Sequence, residues 1–332
     1  MSHSFFSREV VLGVLATCAG ITVGAILYKS VHRKRVYKSV GTLSRIFVHP
    51  VKSCRGLQLQ NAYCSKVGLV CGVLKDRHWI ILNEENQFRG ISHEPTMALI
   101  SPTASEDGRY LLLDAPNMSR LEVPIDTNTL PEHERKTISF RLWRQNAQGK
   151  YCGAKAEQWL TQYFGKPMKL VHGDDDNLIR REIGKARPPI QLGEEGDCMV
   201  YQEDASYMLH SQASLADLNS KMQEPITDRN LRPNFVVSGR DAYDEDKWKY
   251  VKIGEVVLRR VKLDERCKVT TVDPETGIVS EKNEPIATLK TYRMCKEEDR
   301  PLYHNCPLFG VHYAIDVVGR VNIGDTVYVV YG

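Results

Sequence analysis

Three short stretches gather the groups in this 332-residue chain that could do chemistry. In the first, His49 to Gly56 (HPVKSCRG), a strand breaks at proline into a turn carrying Lys52 and Arg55 beside Ser53 and Cys54. Backbone N–H groups, a hydroxyl and an ammonium in such a turn can hold a phosphate; a basic turn that is merely solvated fits the same letters. In the second, Lys75 to Trp79 (KDRHW), Arg77 stands at the mouth of an apolar strand. A guanidinium there can grip phosphate with a two-pronged fork, or it can pair internally with Asp76. The third, Asp264 to Gly277 (DERCKVTTVDPETG), sets Cys267 between Arg266 and Lys268, where one strand hands over to another. Cationic neighbours favour thiolate, a soft ligand for a polarizable metal. The plain alternative is an inert buried thiol.

The elements that must position these stretches read mostly as strands. Thr42–Val48 alternates and stops at His49-Pro50, and His78–Asn83 is a compact apolar run. Met97–Pro102, Tyr110–Leu113, Asn234–Ser238, Gly254–Val261, Cys267–Val272 and Thr326–Tyr331 read likewise, with a turn at Asp273–Gly277. Ala156, Trp159, Leu160, Tyr163 and Phe164 recur at helical spacing, closed by Gly165 and Pro167, which predicts a helix over Ala154–Phe164. Ser214 to Asp217 resembles a capping box opening a second helix toward Met222. The charged run Asp174–Asp197 reads as an exposed connection, dividing a domain over 40–175 from one over 176–332. Many short strands separated by Gly, Pro and Asn turns favour barrels or curled sheets. The fold class is mixed α/β and predominantly β.

Composition narrows the function. A formal net charge of +4, with much of the excess in one cluster near the N-terminus, is too mild for nucleic-acid binding. Nine cysteines, odd in number and irregularly spaced, read as thiols in a reducing compartment; that pattern outweighs the sequon Asn117-Met118-Ser119. No G-x-G-x-x-G, Walker loop, G-x-S-x-G elbow, H-E-x-x-H or paired Cys-x-x-Cys is present. Any redox work therefore draws electrons from a partner. Asp241, in a turn after the Asn234–Ser238 strand, could relay protons or could be an ordinary exposed carboxylate.

Residues 1–39 read as a membrane anchor. Val10–Tyr28 carries no charge over a length that spans a hydrocarbon core. Arg8 and Glu9 cancel ahead of it, whereas Lys29, Arg33, Lys34, Arg35 and Lys38 follow. That asymmetry favours an uncleaved anchor over a removed signal and keeps the body cytosolic. A short anchor with basic residues behind it suits the mitochondrial outer membrane, with the endoplasmic reticulum and peroxisome as alternatives.

Taken in order, HPVKSCRG, LKDRHW, SLADLN, RPNFVVSG, RCKVTTVDPETG and CPLFG resemble the MOSC family, the molybdenum-cofactor sulfurase C-terminal domain proteins. The resemblance covers nearly the whole chain. It implies a β-barrel N-terminal MOSC-type domain followed by a MOSC β-barrel domain, with Mo-molybdopterin between them. It further implies Cys267 as metal ligand, Lys52, Ser53 and Arg77 on the pterin phosphate, and Arg232 and Asn234 on the pterin. The activity implied is two-electron reduction of N-hydroxylated compounds, with electrons from NADH through cytochrome b5 reductase and cytochrome b5. A non-enzymatic carrier of the cofactor is the alternative; cofactor sulfuration lacks room for a pyridoxal-phosphate domain. Glu265 stands where relatives carry a small polar residue, and Asp204-Ala205-Ser206 and His312 also depart from the family pattern.

Overall fold

Two register shifts in Lys38–Val48 (β1), between Ser39 and Gly41 and between Leu43 and Arg45, bring Val40, Leu43 and Ile46 to one buried face, and that face looks into a barrel. The computed structural model describes residues 35–173, 178–183 and 192–332. Leu57–Leu59 (β2), Tyr207–Ser211 (β3), Phe235–Ser238 (β4), Trp248–Ile253 (β5), Val256–Glu265 (β6), Leu308–Val317 (β7) and Thr326–Tyr331 (β8) complete its sheet. The order is β4-β3-β7-β6-β5-β8-β1-β2, and a further β4–β1 pairing closes all but β2 into a ring. Every pairing is antiparallel except β3 with β4. Closure removes the unpaired edges an open sheet would expose. Tyr207, Phe235, Trp248 and Tyr313 fill the interior.

Residues 79–172 build a second core. Trp79–Asn83, Thr137–Leu142, Gln145–Tyr151 and Met168–His172 form a four-stranded antiparallel sheet, and Ser101–Ala104, Tyr110–Asp114 and Leu121–Pro124 a three-stranded one. The helix Ala154–Phe164 buries Ala156, Trp159 and Leu160 against them. The two cores meet at Leu57 of β2, which packs against both.

The fold is predominantly β, as the strand pattern indicates, but local readings needed correction. The Ala154 helix has the expected bounds, with Gly165 left-handed at its end. The second helix spans Gln212–Ser220, starting before Ser214. Ser211 is its cap, accepting the Ser214 N–H at 3.0 Å, and Ser214 passes its own hydroxyl to Glu245 at 2.6 Å. Pro95–Leu99 is a 3₁₀ helix, with the strand beginning only at Ser101. The segment after Cys267 is also 3₁₀, over Lys268–Thr271. There the Thr270 and Thr271 hydroxyls donate to the carbonyls of Cys267 (3.0 Å) and Lys268 (2.8 Å), local bonds that replace a strand partner. Within the described parts of 174–197, Arg181 is buried and donates to Gln202 O at 2.5 Å, so that connection is not wholly exposed. Val10–Tyr28 lies outside the described residues; among these, no helix is long and apolar enough to cross a membrane.

Candidate functional site

The site is organised by a carboxylate that sequence reading took only as a local partner. Asp76 is fully buried. Its Oδ1 accepts from His49 N (2.9 Å) and Asn234 Nδ2 (3.1 Å), and its Oδ2 accepts from Arg77 Nη1 (2.6 Å). One side chain thereby ties the loop after β1, the Arg77 turn and the start of β4 together. The internal Arg77–Asp76 pair does form, yet Arg77 also donates from Nη2 to Arg232 O at 3.1 Å. The His49 ring lies against Gly56, where a Cβ would fall 2.4 Å from Cε1, so only glycine fits there.

Ser53, Arg77 and Arg232 all hold left-handed backbone, with φ of 74°, 54° and 57°. Non-glycine residues adopt this at a cost, and such positions concentrate at ligand clamps. Arg232 ends the short helix Asp228–Leu231 and returns the chain toward β4. Asn234 is committed elsewhere: its amide donates to Phe47 O (3.2 Å) and Asp76, and its oxygen accepts from Met208 N (3.1 Å). Both amide donors are thus taken up within the protein, which makes Asn234 a brace for the loop.

Charge is unbalanced here. Burial pushes the Lys52 ammonium down to about 8; Glu203 opposes that, and Arg181, Arg77 and Arg232 add to it. Burial, then Arg77, brings Arg232 down to about 9. Among the described residues no ion pair engages Lys52, whose ammonium lies 5.4 Å from the centre of the Phe88 ring. Arg232 Nη2 is buried with no hydrogen-bond partner. Crowded, desolvated cations with donors to spare call for an anion.

Cys267 is exposed to solvent yet walled by protein on most sides, as befits a residue in a cleft. The cationic sequence neighbours do not make it a thiolate. Burial, then Glu203, pushes it up to about 11, against a weaker pull from Arg266. Glu203 therefore lies within electrostatic reach of both Lys52 and Cys267. The thiol segment is tied to the cations through backbone: Arg266 Nη2 donates to Leu231 O (2.8 Å), one residue before Arg232. A small cleft runs beside these groups between His49, Arg55 and Gly56 on one wall and Asp228, Arg232 and Val269 on the other. Cys267 and Lys52 do not line it; the site lies at its border.

The family models for the MOSC N-terminal beta barrel domain and the MOSC domain match residues 40–167 and 177–328. The human mitochondrial amidoxime-reducing component 1 is 37% identical over 97% of this chain and 94% of its own length. This chain belongs to the MOSC family. The Xenopus laevis component 1 is 36% identical, over 95% of this chain and 91% of that protein. Rattus norvegicus component 2 is 34% identical, over 97% and 94%.

The residues of this MOSC chain suit the family's namesake cofactor. Among the described residues no three His, Cys, Asp or Glu side chains gather as a metal cage, so a metal beside Cys267 would need most of its ligands from an organic group. The spare donors on Lys52 and Arg232 match a phosphorylated one. Of the residues singled out from sequence, Lys52, Ser53, Arg77 and Arg232 come together, Cys267 borders them, and Asn234 stands behind. Asp241 sits exposed in its turn. Arg181 and Glu203 went unread, and Asp76 was read only as a partner for Arg77, because no local spacing links them to the loop they serve.

Proposed function

We propose that this chain is a molybdenum-cofactor reductase of N-hydroxylated compounds, amidoximes and hydroxylamines, with nitrite as a further substrate. Electrons come from NADH through cytochrome b5 reductase and cytochrome b5. The observation that carries the reading is the surplus of crowded, largely desolvated cation at Lys52, Arg77 and Arg232 beside an accessible cysteine. When bound, Mo-molybdopterin supplies the electron pair and the oxygen-accepting metal for N–O cleavage. Lys52, Ser53 and Arg77 bind the phosphate, and Arg232 hydrogen-bonds the pterin with its spare guanidinium nitrogen. Asp76 and Asn234 hold those groups in place. Cys267 would hold the metal through its sulfur, as a thiolate. Relatives named as mitochondrial components support a location at that organelle. An anchor at Val10–Tyr28 on the outer membrane, with the body facing the cytosol, would confine it to the same surface as its donors.

The test is elemental and pterin analysis of the purified native protein, coupled to benzamidoxime reduction driven by NADH, cytochrome b5 reductase and cytochrome b5. Near-stoichiometric molybdenum with turnover supports the reading. Molybdenum without turnover favours a carrier, and absence of both metal and pterin removes both.

A further inference from the structure

We propose that Cys295 and Cys306 form a reversible thiol–disulfide modification site, taking hydrogen peroxide as oxidant, whose closure acts on the chain segment that holds Cys267. Met294 and Pro307 are antiparallel bridge partners, and Leu308 N donates to Arg293 O at 2.9 Å on one side of that bridge. Continuing the same register on the other side sets Cys295 opposite Cys306. Directly opposed residues in an antiparallel pair have Cα atoms about 4.5–5.5 Å apart and side chains on one face, which is inside the range a disulfide spans. A second contact agrees: Cys295 Sγ lies 3.8 Å from His304 O, two residues from Cys306. Both cysteines are partly exposed, unlike Cys54, Cys64 and Cys152, which are buried. An oxidant therefore reaches this pair before those three.

The bridge is joined to the candidate metal ligand by hydrogen bonds on both sides. Pro307 O, next to Cys306, accepts from Arg266 N at 2.8 Å, the residue before Cys267. The intervening loop carries Tyr303, whose hydroxyl accepts from Leu263 N at 3.2 Å. Leu308 pairs with Glu265 in the β6–β7 register. Tightening the loop between the two thiols pulls on each of these bonds, and all of them end within four residues of Cys267.

The chemistry balances. One sulfur attacks a peroxide oxygen, the O–O bond breaks, and a sulfenic acid and one water form. The second sulfur displaces that hydroxyl as another water and makes the S–S bond. Two electrons pass from the sulfurs to the peroxide, and both thiol protons leave in the waters. A dithiol such as dithiothreitol reverses it. In a reducing compartment such a bond is transient, as a sensing bond must be.

The test uses the full chain with its bound cofactor. It is stepped through hydrogen peroxide, blocked with iodoacetamide and cut with trypsin without reduction. Cys295 falls on the peptide Met294–Lys296 and Cys306 on Glu297–Arg320, so the bond appears as a new mass joining the two. The expected result is that this mass forms before the buried thiols react and vanishes with dithiothreitol. Benzamidoxime reduction should shift with it by roughly two- to thirty-fold, while the Cys267 peptide is still fully recoverable. Cys306→Ser should abolish the linked mass and the reversible change while keeping the untreated rate. Over-oxidation of Cys295 without a linked mass overturns the site; a linked mass with an unchanged rate overturns its coupling to Cys267. The coupling arm rests on the reductase reading, whereas the linked mass does not: a protein without molybdenum would still form it.

Discussion

Two charged regions flank the Cys267 segment, and they are balanced differently. On the loop side, Lys52, Arg77, Arg181 and Arg232 crowd together against Asp76 and Glu203; Arg181 and Arg232 keep spare donors, and burial lowers the basicity of Lys52, Arg181 and Arg232. On the barrel side, Lys262 pairs with Asp204 at 2.6 Å and with Glu265, while Asp264 meets Arg266 and, at 3.3 Å, His312. Burial opposes ionisation of Asp264, but Arg266 and His312 outweigh it and hold the carboxyl down at about 2. His312 is raised in turn: burial works against its charge, and Asp264 and Asp204 overcome it. Three cations there face three acids. A matched network holds a fold together without a visitor, whereas a surplus of one sign marks where a ligand completes the count.

The sharpest way to break this comparison is at the proposed metal ligand. Cys267→Ser should reduce benzamidoxime reduction by more than about a hundredfold, with thermal stability within about 0.5 kcal/mol of the parent because the side chain is exposed. Retained turnover with reduced cytochrome b5 would remove Cys267 from the site. Next in size, Asp76→Asn should cost about 3–5 kcal/mol in denaturant unfolding, since it leaves Arg77 buried without its ion-pair partner. A cost near zero would mean that Asp76 organises nothing.

Arg232→Ala should weaken cofactor retention by about 1.5–3 kcal/mol, the worth of a charge-assisted hydrogen bond. The cofactor-free protein should not lose stability with it, because one of several mutually repelling cations is gone. Equal losses with and without cofactor, measured by thermal shift and molybdenum content, would place Arg232 in the matched class. The smallest effect is in pH. Inorganic phosphate should bind the cofactor-free protein more weakly as pH rises past about 8, where Lys52 sheds its proton. Over about pH 8 to 10.5 the unfolded chain keeps that proton more tightly than the folded one, so stability from Lys52 rises across the same window. Phosphate affinity flat across pH 8 would show that Lys52 is not the anion's partner.

How legible this was from sequence depended on distance along the chain. Thr326–Tyr331 and Ala154–Phe164 were found to the residue, because alternation and helical spacing are local signals and Gly165 marks its own turn. The Lys268–Thr271 turn was read as strand, since threonine favours strands until its hydroxyl finds a nearby carbonyl. Cys267 was given the wrong electrostatics for a related reason. Arg266 and Lys268 adjoin it in sequence, but Arg266 is spent on Asp264 and Glu203 arrives from far along the chain. Asn234 looked like a free ligand because nothing local shows that Asp76, Phe47 and Met208 claim its amide.

The closing pairing of the barrel has a bearing on biogenesis. β1 precedes the other strands of its sheet and finds only the short β2 nearby; its remaining partners are Phe235–Ser238 and Thr326–Tyr331. A ribosome must deliver almost the entire polypeptide before that strand can find its place. Until then an apolar ribbon waits with its hydrogen-bonding groups unsatisfied, open to misassembly with other nascent chains. A premature stop that removes only the last dozen residues should therefore yield aggregate, with no shortened but working enzyme.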